Sequence, residues 1–366
     1  MIKSFEINNF RGFHTTRGNG FGRVNLFGGK NNAGKTTLLE ALLLMTEPSN
    51  QSIVKLLGFR NTSVEYIKAV PEKSWESFFY QQQKNTPVSF KFINDFNNLK
   101  NEYEVKLRCD EIIDNSINLT QQDTESSNLS DFNNVISDRE GKKSVIHIEA
   151  SYANKQINSS SIVATEKGIT AKSTNFSIIK SHFIPSSAKL AGKALAQEFD
   201  KNALSSDKAD ILLKAFQLID NSIKTVRTYS IGEGALYLSR DKELPMPISL
   251  FGDAMNKVAD FILRVINNPD SIILIDEIEN GIHHENHRNL WKMLFDLCNE
   301  YKVQLFATSH SAEMIEAFKD VVKDNDFDGN YFELSKSTVS NNINIQKIPI
   351  YSLESKLNNK KPIRGE

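Results

Sequence analysis

Apolar and polar positions alternate crudely over residues 1–10 and then give way to a stretch punctuated by Gly12, Gly18, Gly20 and Gly22, followed by the short, mainly apolar run 24–27. This pattern predicts two short strands, the second leading straight into a glycine-rich loop. From Thr36 the stretch TTLLEALLLM holds good helix formers with no breaker before Pro48, which predicts a buried helix of about three turns. The N-terminal region is therefore expected to be a strand, glycine loop and helix in succession.

Two alternating runs, VSFKFI and YEVKLR, lie within residues 87–108 and are separated by a polar stretch, the pattern of an antiparallel hairpin. Residues 114–144 are rich in Asn, Ser, Asp and Gln and poor in large apolar side chains, so they are expected to form a surface loop or a partly disordered insertion. From 187 to 224 the composition turns to Ala, Leu and Lys, with Leu190, Ala194, Phe199, Ile211, Leu212, Phe216 and Ile219 at helical spacing. Two helices joined near Ser205 are predicted there, forming a short arm. Further on, SIILIDE and VQLFATSH are continuous apolar runs that close on polar residues, as central parallel strands do when their carboxyl ends carry a site. Leu290, Met293, Leu294 and Leu297 between them fall on one helical face, which completes a β-α-β crossover.

Length and charge add limits. A chain of 366 residues suits two average domains or one large α/β domain with an insertion. Lys plus Arg (44) nearly balances Asp plus Glu (45), so no net field draws the chain onto nucleic acid. Cys109 and Cys298 are the only cysteines and lack ligand spacing, which argues against a disulfide framework or structural zinc and favours a reducing, cytoplasmic setting. The N-terminal residues do not form a leader pattern, and no apolar stretch approaches membrane-spanning length, so a soluble, non-exported protein is expected.

Candidate chemistry begins at the loop. Gly29, Gly34, Lys35 and Thr36 satisfy G-x-x-x-x-G-K-[ST], with Asn31, Asn32 and Ala33 inside the motif and Thr37 directly after it. In such a loop the glycines let backbone N–H groups face phosphate oxygens, the helix N-terminus adds partial positive charge, the lysine reaches the outer phosphates and the hydroxyl binds Mg²⁺. Asp276 and Glu277 end the SIILI run. Asp276 is assigned to Mg²⁺ through its water shell and Glu277 to polarising the attacking water. The bland alternative for the pair is a solvated strand end.

Lys35 and Asp276 stand 241 positions apart (276 minus 35), far more than in small GTPases or nucleotide kinases, so a whole lobe is inserted between them. His310 closes the next apolar strand, where an imidazole could bond the γ-phosphate or the attacking water. Ser249, Gly252 and Asp253 precede a helix with Met255, Val258, Ala259, Ile262 and Leu263 in a 3.6-residue period; this is either a capped core helix or a second anion site. His283, His284 and His287 do not meet the H-E-x-x-H pattern, and a metal is not expected there.

Together these residues resemble the ABC-type ATPase heads shared by the structural-maintenance-of-chromosomes (SMC), RecF and OLD (overcoming lysogenisation defect) families, with the OLD-like group nearest. On that resemblance residues 29–36 are the Walker A loop, 272–277 the Walker B strand, 279–283 the D-loop segment, 249–253 the signature motif and His310 the switch histidine, while 9–13 (NFRGF) is the typical opening. Gln81, Gln82 and Gln83 are candidates for the Q-loop, and SLFGD departs from the LSGGQ of transporters.

The resemblance implies an α/β P-loop ABC-type ATPase head, a parallel core sheet plus an antiparallel β subdomain, with an inserted helical arm. It divides the chain into 1–112 (N-terminal half of the head), 113–186 (polar insertion and β elements), 187–224 (arm), 225–345 (C-terminal half) and 346–366 (polar tail). It also implies ATP and Mg²⁺ as cofactors and a head-to-tail homodimer or higher oligomer in which one copy's signature covers its partner's nucleotide.

No long coiled-coil arm is expected, nor, with 56 residues after His310 (366 minus 310), a Toprim nuclease domain. The expectation is thus an ATPase switch that controls a separate effector, a nuclease, in bacterial antiphage defence. The alternatives are a RecF-like repair ATPase that binds DNA and an ATP-dependent scaffold with little turnover.

Overall fold

The computed structural model describes residues 1–96, 99–112, 143–171, 176–187, 192–201, 206–229, 234–338 and 341–358. The chain opens with β1 (Ile2–Phe10), β2 (Phe13–Asn19) and β3 (Val24–Gly29), followed by α1 (Lys35–Thr46), α2 (Asn50–Phe59) and α3 (Val64–Ala69). Strands β4 (Val88–Phe96), β5 (Leu99–Ile112), β6 (Lys143–Tyr152), β7 (Lys155–Thr165) and β8 (Gly168–Ala171) come next, and then β9 (Ser181–Ile184), α4 (Gly192–Asp200) and α5 (Ser206–Ile219). The C-terminal half contains β10 (Ile223–Tyr229), β11 (Ala235–Arg240), β12 (Met246–Pro247), α6 (Asp253–Asn267), β13 (Ile272–Ile275), α7 (His287–Glu300), β14 (Gln304–Thr308), α8 (Ala312–Asn325), β15 (Gly329–Lys336), β16 (Ile343–Ile348) and α9 (Ile350–Asn358).

Six strands form the central sheet in the order β16-β15-β3-β14-β13-β9, parallel except for β16. Both of its faces are covered, which is why its strands read as unbroken apolar runs. Along β13, Ile273 and Ile275 enter one core with α6, α7 and α8, while Ile272 and Leu274 enter a second core with α1. Helix α1 lies between this sheet and a seven-stranded antiparallel sheet, β2-β1-β4-β5-β6-β7-β8. Leu38, Leu39, Leu42, Leu43, Leu44 and Met45 are accordingly all buried, so the helix, with charged Glu40 buried between them, is apolar over most of its circumference. Each such side chain contributes about 1.5–3 kcal/mol by leaving water.

Several expectations change at the level of packing. Residues 13–19, read as part of a turn-rich stretch, form β2, because pairing with β1 from Ser4↔Asn19 to Phe10↔Phe13 satisfies their backbone and buries Phe13 and Thr16. The two helices expected as an arm do form but lie along the head. Leu195 and Phe199 of α4 and Leu212, Ala215 and Phe216 of α5 share the core of α6, since an amphipathic helix must cover its apolar face. In the segment expected to be a polar tail, α9 is anchored by buried Leu353 and by Lys323 Nζ 3.1 Å from Glu354 Oε2. Most of the polar 114–144 segment lies outside the described residues.

Candidate nucleotide site

Parallel strands deliver their ends to one edge, and here β3, β13 and β14 end side by side in register, Phe27 opposite Thr308 and Ala307 opposite Ile275. The phosphate-loop residues follow β3, Asp276 and Glu277 follow β13, and Ser309 and His310 follow β14. Sequence separation of hundreds of residues is thereby reduced to contact distance.

The loop between β3 and α1 has φ of +140° at Gly29, +63° at Asn32 and +91° at Gly34. A Cβ at Gly29 would sit 2.4 Å from the Leu334 carbonyl oxygen, so that position admits only glycine. Asn31 and Asn32 are exposed and Ala33 is buried. No side chain caps the first turn of α1, and no acid stands in it, so its backbone N–H groups retain their capacity for an anion. Lys35 is buried with Nζ 2.8 Å from the Gly29 carbonyl and 3.0 Å from that of Lys30. Burial pulls its ammonium below the ordinary value, against the opposing attraction of Glu279, Glu277 and Asp276 in that order.

Thr36 Oγ1 lies 2.9 Å from Asp276 Oδ2, and Thr308 Oγ1 donates to Asp276 Oδ1 at 2.7 Å. Burial raises the Asp276 carboxyl above the usual carboxylate range, while the two threonine hydroxyls pull the other way. A hydroxyl and a buried carboxylate beside a phosphate loop are hard oxygen donors of the kind Mg²⁺ takes, and a divalent cation there would offset the desolvation of Asp276. The donor set therefore fits Mg²⁺, with Thr36 and Asp276 as the residues that would hold it.

Glu277 adopts φ of +51°, an uncommon conformation for a residue other than glycine and one that is held from three sides. Its N–H donates to Thr308 Oγ1 (2.9 Å), Asn280 Nδ2 donates to its Oε2 (2.7 Å), and the Ile278 N–H bonds the Thr308 carbonyl (3.0 Å). His310 Nδ1 lies 4.0 Å from Glu277 Oε1 and 2.9 Å from Glu279 Oε1. Lys35, Thr36, Asp276, Glu277 and His310 thus form one constellation. Thr37 begins the second layer, with Arg60 Nη2 3.4 Å from its hydroxyl.

Ser249, Gly252 and Asp253 are exposed on the short turn that leads into α6, where Gly252 has φ of +92° and nothing lies within 4 Å of a Cβ built on it. Asp253 approaches Gly281, whose added Cβ would meet Asp253 Cβ at 3.4 Å, so this turn borders the 279–283 segment. Gln81, Gln82 and Gln83 are exposed beyond Phe79, which bridges to Phe10. Of the three histidines, His287 is buried with Nε2 3.0 Å from the Ile282 carbonyl, while His283 and His284 are exposed beside Glu285.

Sequence reading missed Thr308, which orients both strand-end acids, and the ion triad behind α1, in which Glu40 is buried, Arg11 largely buried and Arg60 exposed. Glu40 is fully buried, with Arg11 Nε at 3.1 Å and Arg60 Nε at 2.7 Å from its two oxygens. Arg11 also lies over the rings of Phe10 and Phe78. The triad joins the β1–β2 turn and α2 to the helix that carries the phosphate loop. Glu40→Ala would leave Arg11 buried without its counter-charge and is expected to lower unfolding free energy by about 2–4 kcal/mol. Denaturant melts check this, and a loss under about 1 kcal/mol would show that the triad does not secure the loop helix.

The chain is 26% identical over 343 residues to a Helicobacter pylori protein named ATP/GTP phosphatase, covering 89% of this chain and 90% of that one. Over 100 residues it is 35% identical to an uncharacterised protein of Methanocaldococcus jannaschii, which spans 27% of this chain and 45% of that protein. In fold it is similar to an SMC head solved bound to the C-winged helix domain of ScpA, with a TM-score of 0.51 at 10% identity over 97% of this chain and 99% of the other. The architecture is that of a P-loop ATPase of the SMC-head type. Residues 24–316, well over half of the chain, match the model of one family, and the protein belongs to it: the family described as "AAA domain, putative AbiEii toxin, Type IV TA system".

Proposed function

We propose that the chain is an ATP-hydrolysing switch of the OLD-like kind that closes on ATP as a head-to-tail dimer and controls a separate effector, a nuclease, in antiphage defence. The observation that carries the hydrolytic part is the convergence of Lys35, Thr36, Asp276, Glu277 and His310 at one sheet edge. Lys35 leaves the Gly29 and Lys30 carbonyls for the outer phosphates, and the first turn of α1 supports the remaining charge. Bound Mg²⁺ would neutralise charge on the outer phosphates, with Thr36 and Asp276 holding it. Glu277, fixed by Asn280, accepts a hydrogen bond from the attacking water and aligns it, and His310 faces the same reacting centre.

Several features support dimer closure. Ser249, Gly252 and Asp253 are exposed with Leu250, which is 70% exposed, on the turn at the start of α6. A second copy's nucleotide is the ligand this turn is assigned. Sedimentation with a non-hydrolysable ATP analogue and Mg²⁺ tests the assignment: the wild type is expected to double its mass, and Gly252→Glu to remain monomeric. A monomer under saturating analogue in both proteins would overturn the switch. The DNA-binding repair reading is favoured if duplex DNA is retarded in a gel at low salt and released as salt rises.

A further inference from the structure

We propose that Glu279 is a positioning residue that holds the His310 imidazole in one tautomer and one orientation, so that Nε2 is the nitrogen presented to the nucleotide. The inference rests on the ATPase reading above for its kinetic part and on geometry alone for its structural part.

Glu279 is nine-tenths buried, and a carboxylate is placed there at a desolvation cost unless donors compensate it. One oxygen receives all of the compensation visible in its surroundings. Glu279 Oε1 accepts the His310 backbone N–H at 2.7 Å and the Ser311 N–H at 3.2 Å, and lies 2.9 Å from His310 Nδ1. A carboxylate oxygen accepts, so the ring proton is assigned to the nitrogen that lies beside it. With the Nδ1 proton toward Glu279, Nε2 is the ring nitrogen left for the nucleotide, on a side chain that is 41% exposed overall.

The backbone of Glu279 is itself secured, with the Ile278 N–H on the Thr308 carbonyl and the Ile282 N–H on the Glu279 carbonyl, both at 3.0 Å. The segment is thus tied to β14 through Ile278 and closed on itself through Ile282. Glu277 is too far from Nδ1, at 4.0 Å, to bond it and is held instead by Asn280. The two glutamates have separate duties: Glu277 faces the water and Glu279 orients the histidine. Glu279 is also the carboxylate that most strongly opposes the loss of basicity at buried Lys35, which places its charge beside the phosphate-binding ammonium as well.

A competing explanation is that Glu279 merely secures the backbone before α8, whose own first turn is capped by Ser311 Oγ accepting from the Met314 N–H. The two explanations separate in a double-mutant test with Glu279→Ala, Glu279→Gln and each of them in a His310→Ala background. Glu279→Ala is expected to lower kcat about tenfold with KM for ATP changed less than twofold, and to have no further effect once His310 is alanine. Glu279→Gln, which keeps an acceptor oxygen, should recover most of the loss. The imidazole ¹⁵N spectrum gives a readout independent of catalysis, with the His310 signal identified by its disappearance in His310→Ala. Wild type should show Nδ1 protonated, and Glu279→Ala a mixture of tautomers.

An equal kcat loss in the His310→Ala background, or a wild-type His310 protonated at Nε2 alone, overturns the proposal, and the latter stands even if Glu279→Ala fails to fold. A wild type that hydrolyses no ATP yet shows the Nδ1–H tautomer would instead refute the ATPase reading.

Discussion

Glu277→Gln is expected to bind ATP as tightly as the wild type and to hydrolyse it about 10²–10³-fold more slowly, the range seen when a single group that orients or stabilises the reacting centre is lost. The amide is nearly isosteric with the carboxylate, and its oxygen can still accept from Asn280 Nδ2, so the +51° backbone and the neighbouring bonds to Thr308 are retained. What disappears is a negatively charged acceptor for the water proton. Single-turnover hydrolysis measures the change directly. Because the γ-phosphate persists, the same variant should stay in the closed dimer on sedimentation with ATP itself. Unchanged hydrolysis would remove Glu277 from its assigned role and leave the water to be positioned by another group.

Lys35→Ala has the other large expected effect, which falls on binding. The Lys35 ammonium is buried, bonded to two loop carbonyls and held below its ordinary basicity by desolvation, so it is a charge kept in an unfavourable place until phosphate arrives. Removing it should weaken ATP binding at least 100-fold, about 3 kcal/mol or more, and calorimetry should show no titratable heat at micromolar protein. The fold should persist, since the buried apolar run of α1 starts at Leu38 and lies between the two sheets regardless. An unchanged melting curve in the apo state separates lost binding from lost structure. Retained affinity would mean that the glycine loop does not hold the outer phosphates.

Legibility in the sequence followed the range over which each feature acts. The glycine loop, the Asp276–Glu277 pair and the apolar runs of β13 and β14 are contiguous, and their chemistry depends on neighbours one to six residues away. The hairpin of β4 and β5 was legible for the same reason, with Val88 pairing Leu107. In contrast, β9 has only four residues, SHFI, and becomes the edge of the parallel sheet because Ile272–Ile275 pairs beside it. β2 carries a polar, glycine-containing sequence, and β1 supplies the ladder that makes it a strand. Arg11, Glu40 and Arg60 look like three ordinary surface charges until the folding of β1, α1 and α2 buries the one acid between two guanidinium groups.

By itself, then, the sequence determined that phosphate is bound, which strands end in acids and that a parallel α/β core surrounds them, since local dihedral freedom, periodicity and adjacent functional groups are properties of short segments. Only the tertiary structure decided that α4 and α5 lie along the head, that Thr308 ties Asp276 to Glu277, and that Glu279 rather than Glu277 lies within 2.9 Å of His310 Nδ1. Those outcomes depend on which apolar faces find cover and which polar groups find partners across large sequence separations, and of two carboxylates two positions apart on one turn only that of Glu279 comes within 2.9 Å of the His310 Nδ1 that lies 4.0 Å from Glu277.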